Sequence, residues 1–97
     1  MRNFIEGTFE LDHNVTDLIA YEDTHEKALK QIIDWGDEEG IAIVFGTSDD
    51  DTYLCQYSTI CNTTAMCKGL VAELKRMLKS EFKKTKSIYQ GSGDYFN

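Results

Sequence analysis

Three consecutive carboxylates are the side chains in this sequence best placed to do chemistry. Asp49, Asp50 and Asp51 close the segment GTSDDD and concentrate the oxygen ligands that Ca²⁺ and Mg²⁺ prefer. The segment lacks the alternating acids, the glycine and the terminal glutamate of a calcium-binding loop. We therefore predict an exposed acidic turn that holds no metal, and we expect no other cofactor.

Histidine and cysteine offer two further routes to chemistry. Glu22, His25 and Glu26 could meet on one helical turn, but their spacing does not indicate an open catalytic metal site. The cysteines are odd in number and contain no C-x-x-C pair, which argues against full disulfide pairing and against a zinc site. They are Cys55, Cys61 and Cys67. We interpret all three as small core residues in a reducing environment.

Motifs for catalysis are missing from the sequence. A cysteine nucleophile needs an adjacent base, and nothing in the sequence brings Cys61 to His13 or His25. The chain has no G-x-S-x-G, no P-loop and no dinucleotide-binding fingerprint. We expect a protein that is not an enzyme.

Charge is divided unevenly along the chain. Residues 1–51 hold fourteen acidic and three basic side chains, a net −11, whereas residues 52–97 hold three acidic and seven basic ones, a net +4. The total of −7 repels phosphates, so direct binding to nucleic acid is not expected. The acids would serve either as a solvated surface or as an imitation of phosphates presented to a protein with a basic surface.

Two sets of residues are candidates for binding. The set predicted to contact a basic protein is Asp37, Glu38, Glu39, Asp49, Asp50, Asp51, Tyr53 and Trp35. The alternative set, predicted to hold the phosphates and base of a nucleotide signal between subunits of an oligomer, is Lys68, Lys75, Lys79 and Tyr89. A structural or regulatory homodimer is a third possibility.

Apolar patterning predicts an α+β fold, in which a small antiparallel sheet packs against two helices. The run Ile41–Phe45 and the alternation that starts at Tyr53 predict a β-hairpin over residues 41–60, with Gly46 able to adopt positive φ in the loop. Period-two alternation from Ile5 to Leu11 predicts an N-terminal strand that can join this sheet.

A first helix is predicted from about Thr24 to Trp35. Asp23 and Glu26 fit a capping box at its start, and the chain should fray through Gly36 and turn at Gly40. Residues 15–21 are apolar but too short for periodicity to decide between strand and helix.

A second, longer helix should start after a cap at Asn62 or Thr63 and run to Lys84. Gly69 inside it costs about 1 kcal/mol relative to alanine, which suggests a close approach by another element.

Domain organisation and location follow from length and apolar content. Residues 1–86 are predicted to form a single domain, and residues 87–97 a flexible or docked tail. The sequence contains no apolar run of spanning length and no signal-peptide pattern, so we expect a cytoplasmic protein without a membrane segment.

The order of these segments resembles a class of small acidic proteins. A helix followed by IAIVF, GTSDDD, TYLCQYSTI and NTTAMCKGLVAELKRML, over residues 24–84, is similar in layout to accessory proteins of bacteriophages and mobile elements. The resemblance implies a role in blocking host defence in the host cytoplasm, as anti-CRISPR proteins do by occupying nucleic-acid-binding surfaces. It implies no functional residues. On this basis we expect a phage-encoded, non-catalytic inhibitor that binds a protein partner with a basic surface.

Overall fold

The computed structural model describes residues 2–11, 18–50 and 52–95, without the side chains of residues 18–25 and 95. Its elements are β1 (Arg2–Glu10), α1 (Leu18–Glu39), β2 (Ile41–Thr47), β3 (Tyr53–Cys61), α2 (Thr64–Glu81) and β4 (Lys86–Tyr95). The predicted α+β class, with an antiparallel sheet and two helices, is confirmed.

The four strands form one sheet in the order β2-β3-β1-β4, and every neighbouring pair is antiparallel. The predicted N-terminal strand lies inside the sheet, where Phe4 faces Ile60 of β3 on one side and Gly93 of β4 on the other. This βαββαβ arrangement is ferredoxin-like. It leaves β2 and β4 as the two edges.

The core lies between one face of the sheet and the two helices. Alternate residues of β3, from Tyr53 to Cys61, are all buried, as are Ile5 and Phe9 of β1. The intervening residues of β3 point the other way and are largely exposed. The helices therefore cover a single face of the sheet, and the period-two pattern of the strands reflects that one-sided burial.

The start of α1 differs from the prediction. The helix begins at Leu18 rather than Thr24, so the Asp23–Glu26 pattern lies inside the helix and does not cap it. Residues 18–21, which the sequence left undecided, are helical. Residues 15–17 lie outside the described residues.

The end of α1 also lies further along the chain than Trp35. Gly36 does not fray the helix, because it is buried where α1 packs on β2; a Cβ there would lie 2.6 Å from the carbonyl oxygen of Ile41. The helix continues to Glu39, and the chain then turns at Gly40, where the turn was predicted. Gly40 has φ 86°, and its N–H donates to the Gly36 carbonyl at 2.8 Å.

The predicted hairpin of β2 and β3 is confirmed, but its glycine has a different role. Gly46 lies within β2, and Gly40 is the glycine with positive φ in the described part of the chain. The strand continues through Thr47, and the turn is closed by the Ser48 N–H, which donates to the Thr52 carbonyl at 2.9 Å.

One of the two predicted caps, Thr63, begins α2. Its hydroxyl oxygen accepts a hydrogen bond from the Met66 N–H at 3.1 Å. The helix ends at Glu81 rather than Lys84, because Phe82 adopts an extended conformation and is buried in the core. Apart from its chain neighbours and the backbone of its own helix, no atom of the described residues lies within 4 Å of a Cβ built on Gly69, so the expected close approach at that position is wrong.

Residues 87–95, predicted as a flexible or docked tail, form most of β4. This strand pairs with β1 from Arg2–Tyr95 to Glu10–Lys86, with a register shift between Thr8 and Phe9. Residues 96–97 lie outside the described residues. Within those that are described, neither helix combines the length and the apolar character needed to cross a membrane.

Candidate protein-binding edge of the sheet

The acidic residues predicted to bind a partner lie in two clusters, one at each end of β2. The helix-end acids are Asp37, Glu38 and Glu39, and the turn acids are Asp49 and Asp50; all five are exposed. Since β2 has seven residues, the clusters are separated by roughly 20 Å. The structure therefore places the acids along one side of the molecule but not in one continuous patch. Asp51 lies outside the described residues.

The two turn acids have different surroundings. The Asp50 carboxylate accepts hydrogen bonds from the Ser48 hydroxyl and from the Thr52 N–H, the latter at 3.3 Å. These bonds, first that of Ser48 and then those of Thr52, lower the pKa of Asp50 below its usual value. Asp50 thus organises the turn, and Asp49, which makes none of these bonds, presents its carboxylate to the surroundings.

The two aromatic residues predicted as anchors are largely part of the core. Tyr53 is only 3% exposed, and its ring stacks on Phe45 with 6.2 Å between centroids. It also packs at 6.2 Å against Phe82. Tyr53 therefore fixes the start of β3 and offers a partner only a small part of its surface. Trp35 is half-buried and packs against the core from α1.

Between the two acidic clusters lies β2, an edge strand that lacks the features which usually prevent pairing with another chain. Natural edge strands are usually blunted by charged residues, prolines or bulges, which prevent pairing with other chains. The other edge, β4, carries Lys86 and Asp94 and has an irregular register with β1. The sequence of β2, IAIVFGT, contains no charged residue and no proline. The two edges of this sheet therefore differ in their capacity to accept another strand.

An apolar groove of about 570 Å³ lies between α1 and β2. Its apolar wall includes Leu29 and Ile33 from the helix and Ile43, Phe45 and Tyr53 from the strands, and the charged residues Glu26 and Lys30 of α1 also line it. Val44 adjoins it and is 60% exposed. The sequence did not mark these residues as functional, because an apolar run predicts core in the same way whether its strand is central or at an edge. The feature of the sequence that could have pointed to the groove is the run of five apolar residues, Ile41–Phe45.

The alternative, basic set is only partly brought together. Lys68 and Lys75 line a groove of about 340 Å³ between α2 and β4, together with Ser87 and Gln90. Lys79 is exposed elsewhere on the helix. Tyr89 pairs with Thr8 and points to the opposite, uncovered face of the sheet, where its hydroxyl donates to Glu6 Oε1 at 3.4 Å.

The cysteines are free and buried, which confirms their interpretation as core residues. Burial raises the pKa of the Cys55 thiol to about 12. Burial, followed by the neighbouring Cys61, raises that of Cys67 to about 11. Thiols in such surroundings are poor nucleophiles. Within the described ranges, no group of three or more histidine, cysteine, aspartate or glutamate side chains is placed to bind a metal ion.

The sequence matches no protein-family profile and no curated protein. Its fold is similar to that of the de novo designed protein Foldit4, with a TM-score of 0.65 and 9% identity over 99% of this chain and 100% of that one. It is also similar to a structural-genomics protein, YJCS, with a TM-score of 0.60 and 12% identity over 99% and 100% of the two chains. At these identities the similarity shows the fold alone.

Proposed function

We propose that this chain is a non-catalytic protein-binding module that engages a basic surface of a larger partner. The binding side is formed by α1, β2 and the turn between β2 and β3. One observation carries the proposal: an uncharged edge strand lies beside an apolar groove, with acidic residues at both ends. This matches the anatomy of protein interfaces, in which an apolar centre provides affinity and a charged rim provides steering and selectivity.

Inhibition is the proposed consequence of binding. The helix-end acids and the turn acids carry the charge that the lysines and arginines of a nucleic-acid-binding channel attract, so a bound module would exclude the nucleic acid. The resemblance to phage proteins that block host defence agrees with this role. The proposed partner is accordingly a nucleic-acid-binding defence protein in the host cytoplasm.

Charge reversal tests this proposal. The tagged chain and its variants would be used to capture proteins from a host lysate, and the affinity of the captured protein would then be measured at low salt. We expect the pair Asp37→Lys and Asp49→Lys to weaken binding at least tenfold, because both acidic ends would then repel a basic partner.

A matched pair elsewhere on the surface is the control. Glu73→Lys and Asp94→Lys make the same change in net charge on α2 and β4, and we expect them to change affinity by less than threefold. Equal losses from both pairs would mean that only net charge matters. Unchanged affinity in the first pair would contradict the proposal.

A second candidate function, nucleotide binding, is favoured by the shared groove of Lys68 and Lys75. Two ammonium groups beside polar side chains can hold phosphates. Isothermal titration with mono-, di- and cyclic nucleotides tests it. Binding that Lys68→Gln and Lys75→Gln abolish, and that the acid reversals leave unchanged, would favour this candidate over the first.

A further inference from the structure

We infer that β2 accepts an extended segment of the basic partner as a fifth strand, and that this segment has apolar residues at alternate positions between basic ends. The inference rests on the proposed function and adds to it the mode of docking and the chemistry of the ligand. It follows from three properties of the β2 edge: its free backbone groups, its groove and its charged ends.

The backbone of β2 is paired on one side only. Its register with β3 runs from Ile41–Thr59 to Thr47–Tyr53, and β2 has no neighbour on the other side in the described sheet. About half of the peptide groups of such a strand point outward and are available to another strand. Because the strand contains no proline, none of its N–H donors is missing. Strand addition uses these main-chain groups for affinity.

The groove specifies alternate side chains of the added strand. Successive residues of a strand point to opposite faces of the sheet. Every second residue of an added strand would therefore project over the groove lined by Leu29, Ile33 and Phe45, where an apolar side chain is favoured. The remaining residues would lie beside Val44 on the uncovered face, where polar side chains are tolerated.

The charged ends decide between a second copy of this chain and a basic segment. Two copies paired through β2 around a two-fold axis at Val44 would run antiparallel. The turn acids of each copy would then lie beside the helix-end acids of the other, which places like charges together at both ends of the contact. A segment with lysine or arginine just beyond each end of a seven-residue strand makes attractive contacts at the same positions. Charge complementarity therefore selects the basic segment.

A synthetic peptide provides the probe. It has seven residues that alternate valine and threonine, with two lysines at each end and a fluorescent label. We expect it to bind the full chain and to protect the amides of β2 from hydrogen exchange without protecting those of β4. A version with glutamates in place of the lysines should bind at least tenfold more weakly.

N-methylation of the peptide backbone separates strand addition from other binding. Two peptides would each carry three N-methyl groups at alternate positions, one set for each edge of the extended segment. We expect one set to weaken binding at least tenfold, because its N–H groups face β2, and the other set to change it by less than threefold. These two peptides have the same composition and charge, so each is the control for the other.

The other outcomes overturn the inference in distinguishable ways. Equal affinity of the two methylated peptides would exclude strand addition while leaving a basic ligand, and hence the proposed function, intact. Equal affinity of the glutamate-ended peptide would exclude selection by charge. No binding of the lysine-ended peptide, or a dimer that protects the β2 amides and that the peptide does not dissociate, would show that β2 does not take such a segment.

Discussion

Replacement of glycine by alanine should have opposite effects in the two helices. Gly69 of α2 is exposed, and in the described part of the chain no atom beyond its neighbours and its own helix backbone lies within 4 Å of a Cβ built on it. Alanine there favours the helix and restricts the unfolded chain, so we expect a gain of about 0.5–1 kcal/mol in the free energy of unfolding.

Gly36 of α1 is buried against β2, and the same methyl group has no room. A Cβ there would lie 2.6 Å from the Ile41 carbonyl oxygen, whereas ordinary contact begins near 3.4 Å. The oxygen belongs to the backbone of β2 and cannot rotate away as a side chain could, so the helix has to move. Overpacking of this kind costs about 1–3 kcal/mol. The gain in helix propensity offsets about 1 kcal/mol of that cost.

Because the clash is with backbone, the cost lies in the upper part of that range, about 2–3 kcal/mol. The Gly36→Ala variant should therefore lose about 1–2 kcal/mol, and the two variants should differ by about 1.5–3 kcal/mol. Urea unfolding followed by circular dichroism measures the difference, provided that the m-value is unchanged. For a domain of this size, 1 kcal/mol corresponds to roughly 4–8 °C in Tm. A Gly36→Ala variant as stable as the wild type would refute the close packing of α1 on β2. A loss at Gly69 would show that this surface of α2 is covered.

Three further predictions concern single side chains. The Tyr57 hydroxyl is buried without a hydrogen-bond partner in the described structure, so Tyr57→Phe should stabilise the protein by about 1 kcal/mol in urea unfolding; a loss would reveal a partner. Asp50→Ala should speed hydrogen exchange of the amides in the β2–β3 turn, whereas Asp49→Ala should not. The raised pKa values of Cys55 and Cys67 contribute stability below about pH 9, which is lost as the pH rises toward their folded values of about 12 and 11. Unfolding at pH 8 to 11 checks this, and a flat profile would contradict it.

Local patterns predicted the elements that depend on neighbouring residues. The hairpin of β2 and β3, the cap at Thr63 and the strand that became β1 all follow from alternation or from one side chain bonded to its own turn. The error at Gly36 has its explanation in another element, β2. A glycine that frays a helix and one pressed against a strand look alike in sequence, and Gly36 is of the second kind.

The candidate site was harder to predict than the fold. The acids were identifiable from composition, but the position of β2 at the edge depends on strand order, which no short-range pattern encodes. Tyr53 could have been assigned to the core, because it shares its alternation with Cys55 and Tyr57. The internal bonds of Asp50 depend on the geometry of one turn, so the three consecutive carboxylates could not be told apart in sequence.

The interior position of β1 has a consequence for how the sheet is assembled during synthesis. This strand is synthesised before the other three strands of the sheet, but Phe4 pairs with Ile60 on one side and with Gly93 on the other. Contacts this far apart in sequence close slowly, because the loop entropy is lost before the pairing is gained. Until β4 arrives, the nascent sheet has an exposed edge on β1 in addition to the one on β2. A chain whose β4 has not yet paired is therefore more prone to associate with other chains than the folded protein. The yield of folded protein should depend on how quickly β4 pairs with β1.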